Sequence, residues 1–382
     1  MMGKLSYEIF VQEDEERWMF SYDHNGLYYD HKGLEFLGMV PWERKYGIRL
    51  YSNMIKFEGN IYLIPFRAKD IAVYSIKNKQ FRRIALKDTN DFQVGNNKNE
   101  LAKFWVSVVY RENIILMPHN YPAIVKLDMC SENCEFSTDL VEKIDEIALN
   151  GEPYITDAYI ENDVAILSVG CADAVVEINL ETLDFNLREI HFENKGFNGI
   201  VKGDNNIWLA PRIGNKVAVC DIGNCKIKTI DLGIYLESNQ YVPFHSMYKM
   251  GDNMCFIPNL CDKWIFVNRN TLKISLNETL TNIVSQPRKK YAFGKDRVMA
   301  FSISNDYMSF LCGLDNIIYI LDKGTNEIST QVYSLKNNHL VLNEVLQGLS
   351  VRNDGELFLE EDRFTLDMFL YYLEKRNGFS IN

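Results

Sequence analysis

The chain has 382 residues, 47% hydrophobic and 24% charged, enough to bury one large core or several smaller ones. Its 41 basic against 52 acidic side chains give a formal net charge of -11, a field that repels nucleic acid and anionic membrane surfaces, so neither is expected as a partner. No apolar segment approaches the roughly 20 residues of a spanning helix, and MMGKLSYEIFVQEDEERW lacks the apolar stretch of a secretory leader, so a cytoplasmic location is expected.

In chain order, short apolar runs end on an anchor residue: Ser21 in WMFSYDHNGLYYD, Pro65 in IYLIPFRAKDIAVYSI, Pro118 in IILMPHNYPAIVKLD and Ser168 in VAILSVGCADAVVEINL. Pro211 in IWLAPRIGNKVAVCDI, Pro258 in MCFIPNLCDKWIFVN and Ser302 in RVMAFSISNDYMSFL continue the series. The anchors lie 44, 53, 50, 43, 47 and 44 residues apart, the period of a four-stranded propeller blade. Around the second anchor, YSNMIKFE, IYLIPF, IAVYSI and FRRIAL read as four strands, each β-branched or aromatic and bounded by turn residues. Proline at the anchor fits a strand's end, because it cannot donate to the ladder. The pattern predicts an all-β fold, a seven-bladed β-propeller of four-stranded antiparallel blades, with no amphipathic helix before residue 322.

The propeller is expected over residues 1–322, with 323–382 as a C-terminal tail. In the tail, Asn353-Asp354-Gly355 suits a hairpin turn, and an amphipathic helix over about 363–376 carries Leu366, Phe369, Leu370 and Leu373 on one face, to be packed on the propeller. One blade is expected to be completed by strands from a chain terminus.

The eight cysteines show no paired C-x2-C spacing, and Cys171, Cys220, Cys255 and Cys312 sit in apolar runs, so buried reduced thiols are expected. Asp23, His24, Asp30 and His31 straddle a strand, which spreads them too far for a metal site. Phosphate loops, zincin motifs and nucleophile elbows are absent from the sequence.

The stretch GDNNIWLAPRIGNKVAVCDIGNCKIKTIDL, with GNIYLIPFRAKDIAVYSIKNKQF and NMCFIPNLCDKWIFVNRNTLKI, resembles the repeats of streptogramin lyases and related bacterial propellers over about residues 16–322. The resemblance implies architecture. Those lyases use a divalent metal, histidines and a glutamate in the propeller mouth. The glutamate follows a W-F-T run, whereas Pro211 follows Trp208-Leu209-Ala210 here, so the lyase residues are not carried over.

In propellers the loops after the second strands share a face with the segments leading into the next blade. Arg67, Asn120, Arg212 and Asn259, with His119, are therefore expected on one face beside Arg49, Trp105, Asp157, Phe197 and His245. Arginine forks and histidines over aromatic rings suit a carboxylate, a phosphate or a peptide backbone. The polar loop 87–103 reads as a mobile lid over that mouth. Two readings follow. One is a cofactor-free binding module or scaffold for a peptide, protein or glycan. The other is a lyase or hydrolase acting on a peptide or sugar, with His119 or His245 as general base, Asp157 as a carboxylate partner, Arg67 or Arg212 stabilising negative charge, and a divalent metal as its candidate cofactor.

Overall fold

The computed structural model describes residues 7–332 apart from 14–15, 22–24, 32, 44–48, 100–101, 150, 194, 222–225, 286–296, 299, 305 and 313–316. The tail hairpin and helix lie outside the described residues. The second strands show most directly how sequence makes this fold. Asn60–Pro65, Asn113–Pro118, Asn206–Pro211 and Asn253–Pro258 each begin with asparagine, end with proline, and bury every residue after the first. A strand buried on both faces needs a continuous apolar run rather than alternation, which is what NIILMP and NIWLAP supply.

Seven four-stranded antiparallel sheets result, each made of four consecutive strands in simple up-and-down order. The fold is the seven-bladed β-propeller expected from the repeat. Blades 1 to 7 span residues 7–39, 51–84, 104–137, 155–189, 197–231, 244–276 and 300–332. The last strand, Ile328–Val332, pairs with Ile317–Asp322, so the seventh sheet extends beyond residue 322 into the segment assigned to the tail. The chain divides into two compact units. Among described residues one holds blades 1, 7 and most of 2, and the other holds Ile64–Ile71 and blades 3 to 6.

Four expectations need correction. Ser302 lies in the first strand of blade 7, Ala300–Ile303, and the second strand is Tyr307–Leu311. AFSI and YMSFL are equally apolar, so the run alone did not distinguish a first strand from a second. Among the described residues two short α-helices occur before residue 322: α1, Asp139–Asp145, and α2, Glu278–Ser285. With about two turns each, they bury only Leu140, Val141 and Ile144, and Leu280, Thr281 and Val284, too few positions for a strong helical period. Among the described residues no sheet mixes strands from both ends of the chain. Blades 1 and 7 instead meet through Phe10, Met19 and Tyr28 against Ala300, Leu311 and Ile318, with Ser309 Oγ donating to Gln12 Oε1 at 3.0 Å. Finally, the described part of loop 87–103 is tied down. Gly95 and Asn96 donate to the Asp145 carboxylate, Asn97 N–H donates to Tyr154 Oη at 2.8 Å, and Phe92 packs edge-on against Tyr121.

Blades 3 to 6 share cores across their faces. Val108, Met117 and the buried side of α1 pack on Leu167 and Val176, Ile166 and Val175 on Ile200 and Leu209, and Trp208 and Val217 on Phe244 and Phe256. Each such large side chain contributes about 1.5–3 kcal/mol by leaving water. This rigid stack presents the first strands side by side.

Candidate functional site

The first strand of each of blades 3 to 6 carries a β-bulge at its second residue. The register steps between Phe104 and Val106, Ile155 and Asp157, Phe197 and Gly199, and Phe244 and Ser246. The extra residues are Trp105, Thr156, Asn198 and His245. A bulge re-aims a side chain that would otherwise alternate across the sheet. Side chains at this end then reach a carbonyl of the following blade. Thr156 Oγ1 donates to Phe197 O at 2.7 Å, Asn198 Nδ2 to Phe244 O at 2.7 Å, and His119 Nδ1 to Ile155 O at 2.9 Å.

Four rings gather at the same end. Trp105 stacks on His245 at 6.0 Å between centroids and 7° between planes. Phe66 meets Trp105 edge-on at 5.4 Å and tilts against His119 at 5.7 Å, while Trp105 and His119 are 6.3 Å apart. His245 is buried, and Phe66, Trp105 and His119 are half-buried. Burial and the nearby Arg212 guanidinium push the His119 imidazole down to about 3, so the ring is neutral at ordinary pH. A carbonyl only accepts, so Nδ1 carries the proton and Nε2 keeps its lone pair.

One residue further along the strands, Asp157 ties three blades together. Its carboxylate accepts from Ser246 Oγ at 2.6 Å, Ile200 N–H at 3.1 Å and Ala158 N–H at 2.9 Å. Burial outweighs these bonds and pushes the acid up to about 7. The carboxylate partner is thus a serine and two backbone amides, and the histidine of the enzymatic reading bonds a carbonyl.

Arg212 is buried and uses its whole fork. Nε pairs with Glu152, Nη1 donates to Asn198 Oδ1 at 2.7 Å and Nη2 to Tyr241 Oη at 3.1 Å. Among the other expected residues, Arg67 places its guanidinium over the Phe66 ring at 5.9 Å, and Asn120 Nδ2 donates to Asn97 O at 2.8 Å. Asn259 donates its N–H to Pro243 O at 2.8 Å, and its buried Oδ1 has no hydrogen-bond partner among the described residues. Phe197 is 1% exposed in the core between blades 4 and 5. Arg49 is buried in the other compact unit.

Sequence reasoning missed Phe66, Asn198 and Ser246, each one residue from an expected position; at Asn198 and Ser246 a bulge shifts the register by one. Glu152 and Tyr241, the partners of Arg212, carried no signal of their own. Among the described residues no three His, Cys, Asp or Glu side chains come together as metal ligands.

No protein-family model and no curated protein sequence matches the chain. Solved structures share its fold. Virginiamycin B lyase from Staphylococcus aureus superposes with a TM-score of 0.55 at 13% identity, over 81% of this chain and 92% of that one. A catalytically inactive variant of the same lyase with quinupristin gives 0.57 at 12% identity, over 86% and 96%. A surface component of the type-IX secretion system of Porphyromonas gingivalis gives 0.52 at 10% identity, over 88% of this chain and 39% of that one. A lyase and a secretion component share this architecture with the chain, so the likeness is one of propeller fold.

Proposed function

We propose that the protein is a non-catalytic binding or scaffold propeller that recognises a peptide, protein or glycan on the face where the first strands begin. The observation that carries this reading is the cluster of Phe66, Trp105 and His119, three half-buried rings on a floor made by His245. Rings that keep part of their surface in water offer stacking area to a ligand at small entropic cost. Acid and base are engaged elsewhere: Asp157 with Ser246, His119 with Ile155 O, and Arg212 with Glu152. That arrangement favours recognition over a lyase or hydrolase. A reducing, cytoplasmic setting is part of the proposal, supported by the seven described cysteines, all free thiols.

The test is a peptide library and a glycan array probed with wild-type protein and with Trp105→Ala. Binding by the wild type that drops at least about tenfold in the variant supports the reading, at the 1.4 kcal/mol a single stacked ring readily supplies. Turnover of a cyclic peptide or a sugar by the wild type, lost in His119→Ala, overturns it.

A further inference from the structure

His119 differs from its neighbours in the cluster by carrying polar atoms whose roles are fixed. Nδ1 is held as a donor by Ile155 O at 2.9 Å, and the ring is packed by Phe66 at 5.7 Å and Trp105 at 6.3 Å, so it has little freedom to flip. Nε2 makes no hydrogen bond to a described residue and is not sealed from solvent. The adjacent backbone is equally fixed, with His119 N–H donating to Lys103 O at 2.8 Å and His119 O accepting from Tyr154 N–H at 2.7 Å.

Resting on the binding reading above, we propose that His119 sets the specificity of the cluster: Nε2 is a fixed hydrogen-bond acceptor beside stacked rings, so the site selects a flat ligand group bearing an N–H or O–H donor. The same geometry disfavours carboxylates, because two lone pairs would face each other while Arg212 is already engaged by Glu152, Asn198 and Tyr241. Arg67 over Phe66 is the group that makes the opposite case. An anion drawn to it would bind best where a donor should.

Three probes of one ring size separate these cases: phenol carries a donor, anisole has it methylated, and benzoate is an anionic acceptor. Each is titrated into the full chain, with indole fluorescence and the signals of 15N-labelled histidine as readouts. Phenol is expected to bind about tenfold tighter than anisole, the value of one well-made hydrogen bond to a buried partner, and benzoate no tighter than anisole. The His119 signals should report a neutral ring protonated at Nδ1 throughout pH 5 to 8. In His119→Phe the preference for phenol should vanish while ring binding persists. His119→Gln, whose amide offers a donor to Ile155 O and an acceptor to the ligand, should restore part of it. Equal binding of phenol and anisole, tightest binding of benzoate, or titration of His119 between pH 5 and 8 overturns the inference and leaves the binding reading standing. Failure of all three rings to perturb Trp105 or His119 overturns both.

Discussion

The indole of Trp105 and the imidazole of His245 lie within 7° of parallel, 6.0 Å apart, although their strands belong to blades 3 and 6. Two whole blades separate them in sequence, and the bulges at both positions bring them together. A double-mutant cycle with Trp105→Leu and His245→Leu should give a coupling of about 0.5–1.5 kcal/mol in urea unfolding. Additive losses would show that the two rings are neighbours without an energetic bond.

Asp157 and His119 oppose each other in acid. Asp157 is raised from 3.8 to about 7 in the folded protein, so its contribution is full below about pH 4 and is lost as pH rises to 7. His119 is lowered from 6.5 to about 3, so its contribution is full above pH 6.5 and is lost as pH falls toward 3. Between about pH 4 and 6.5 the two slopes offset. In His119→Gln, stability relative to wild type should rise as pH falls through that window, and in Asp157→Asn it should fall, by about 2–4 kcal/mol at most across the window. Thermal unfolding at half-unit steps reads both, and parallel curves for the three proteins would refute the opposition.

Arg212 is a structural hub. Arg212→Ala strands Glu152 and the Asn198 amide, and should cost about 3–5 kcal/mol in the urea midpoint. Arg212→Lys should recover little, because an ammonium does not span three partners held by a planar fork.

Gly196 closes the passage from blade 4 to blade 5. Its φ is +65°, and a Cβ there would sit 1.9 Å from Gly170 O. Its N–H, with those of Phe192, Glu193 and Lys195, donates to the Asp173 carboxylate. Gly196→Ala should cost more than about 3 kcal/mol, whereas Gly151→Ala, at φ +84° in open space, should cost about 1 kcal/mol. Similar losses at both would place the strain in the backbone angle rather than in the contact.

Much of the fold was legible because burial on both faces forces a recognisable run. The Asn-to-Pro second strands of blades 2, 3, 5 and 6 announce themselves. A second repeat went unread. At the outer hairpins, Asp128, Asn179, Asn268 and Asp322 each accept two N–H groups through Oδ1, and the left-handed residue follows four positions on at Glu132, Leu183, Leu272 and Asn326. That spacing is in the sequence, and it would have placed blade 7 correctly, since Asp322 ends its third strand. The site was legible only to within a residue. Arg67, Phe197 and His245 stand beside Phe66, Asn198 and Ser246, and a bulge leaves no mark in the side chains that form it. Helix α1 escaped notice because three buried residues in two turns fit a strand's edge as well as a helix.

Among the described residues no strand of blade 1 pairs with one of blade 7; they meet through Phe10 and Met19 against Ala300 and Leu311, Gln12 against Ser309, and Gln12 N–H donating to Ser302 Oγ at 3.5 Å. Within a blade, parting two strands breaks a ladder of backbone hydrogen bonds; between these two blades it exposes apolar surface and little else. The joint behaves as a clasp rather than a weld. Parting it would leave every described sheet intact.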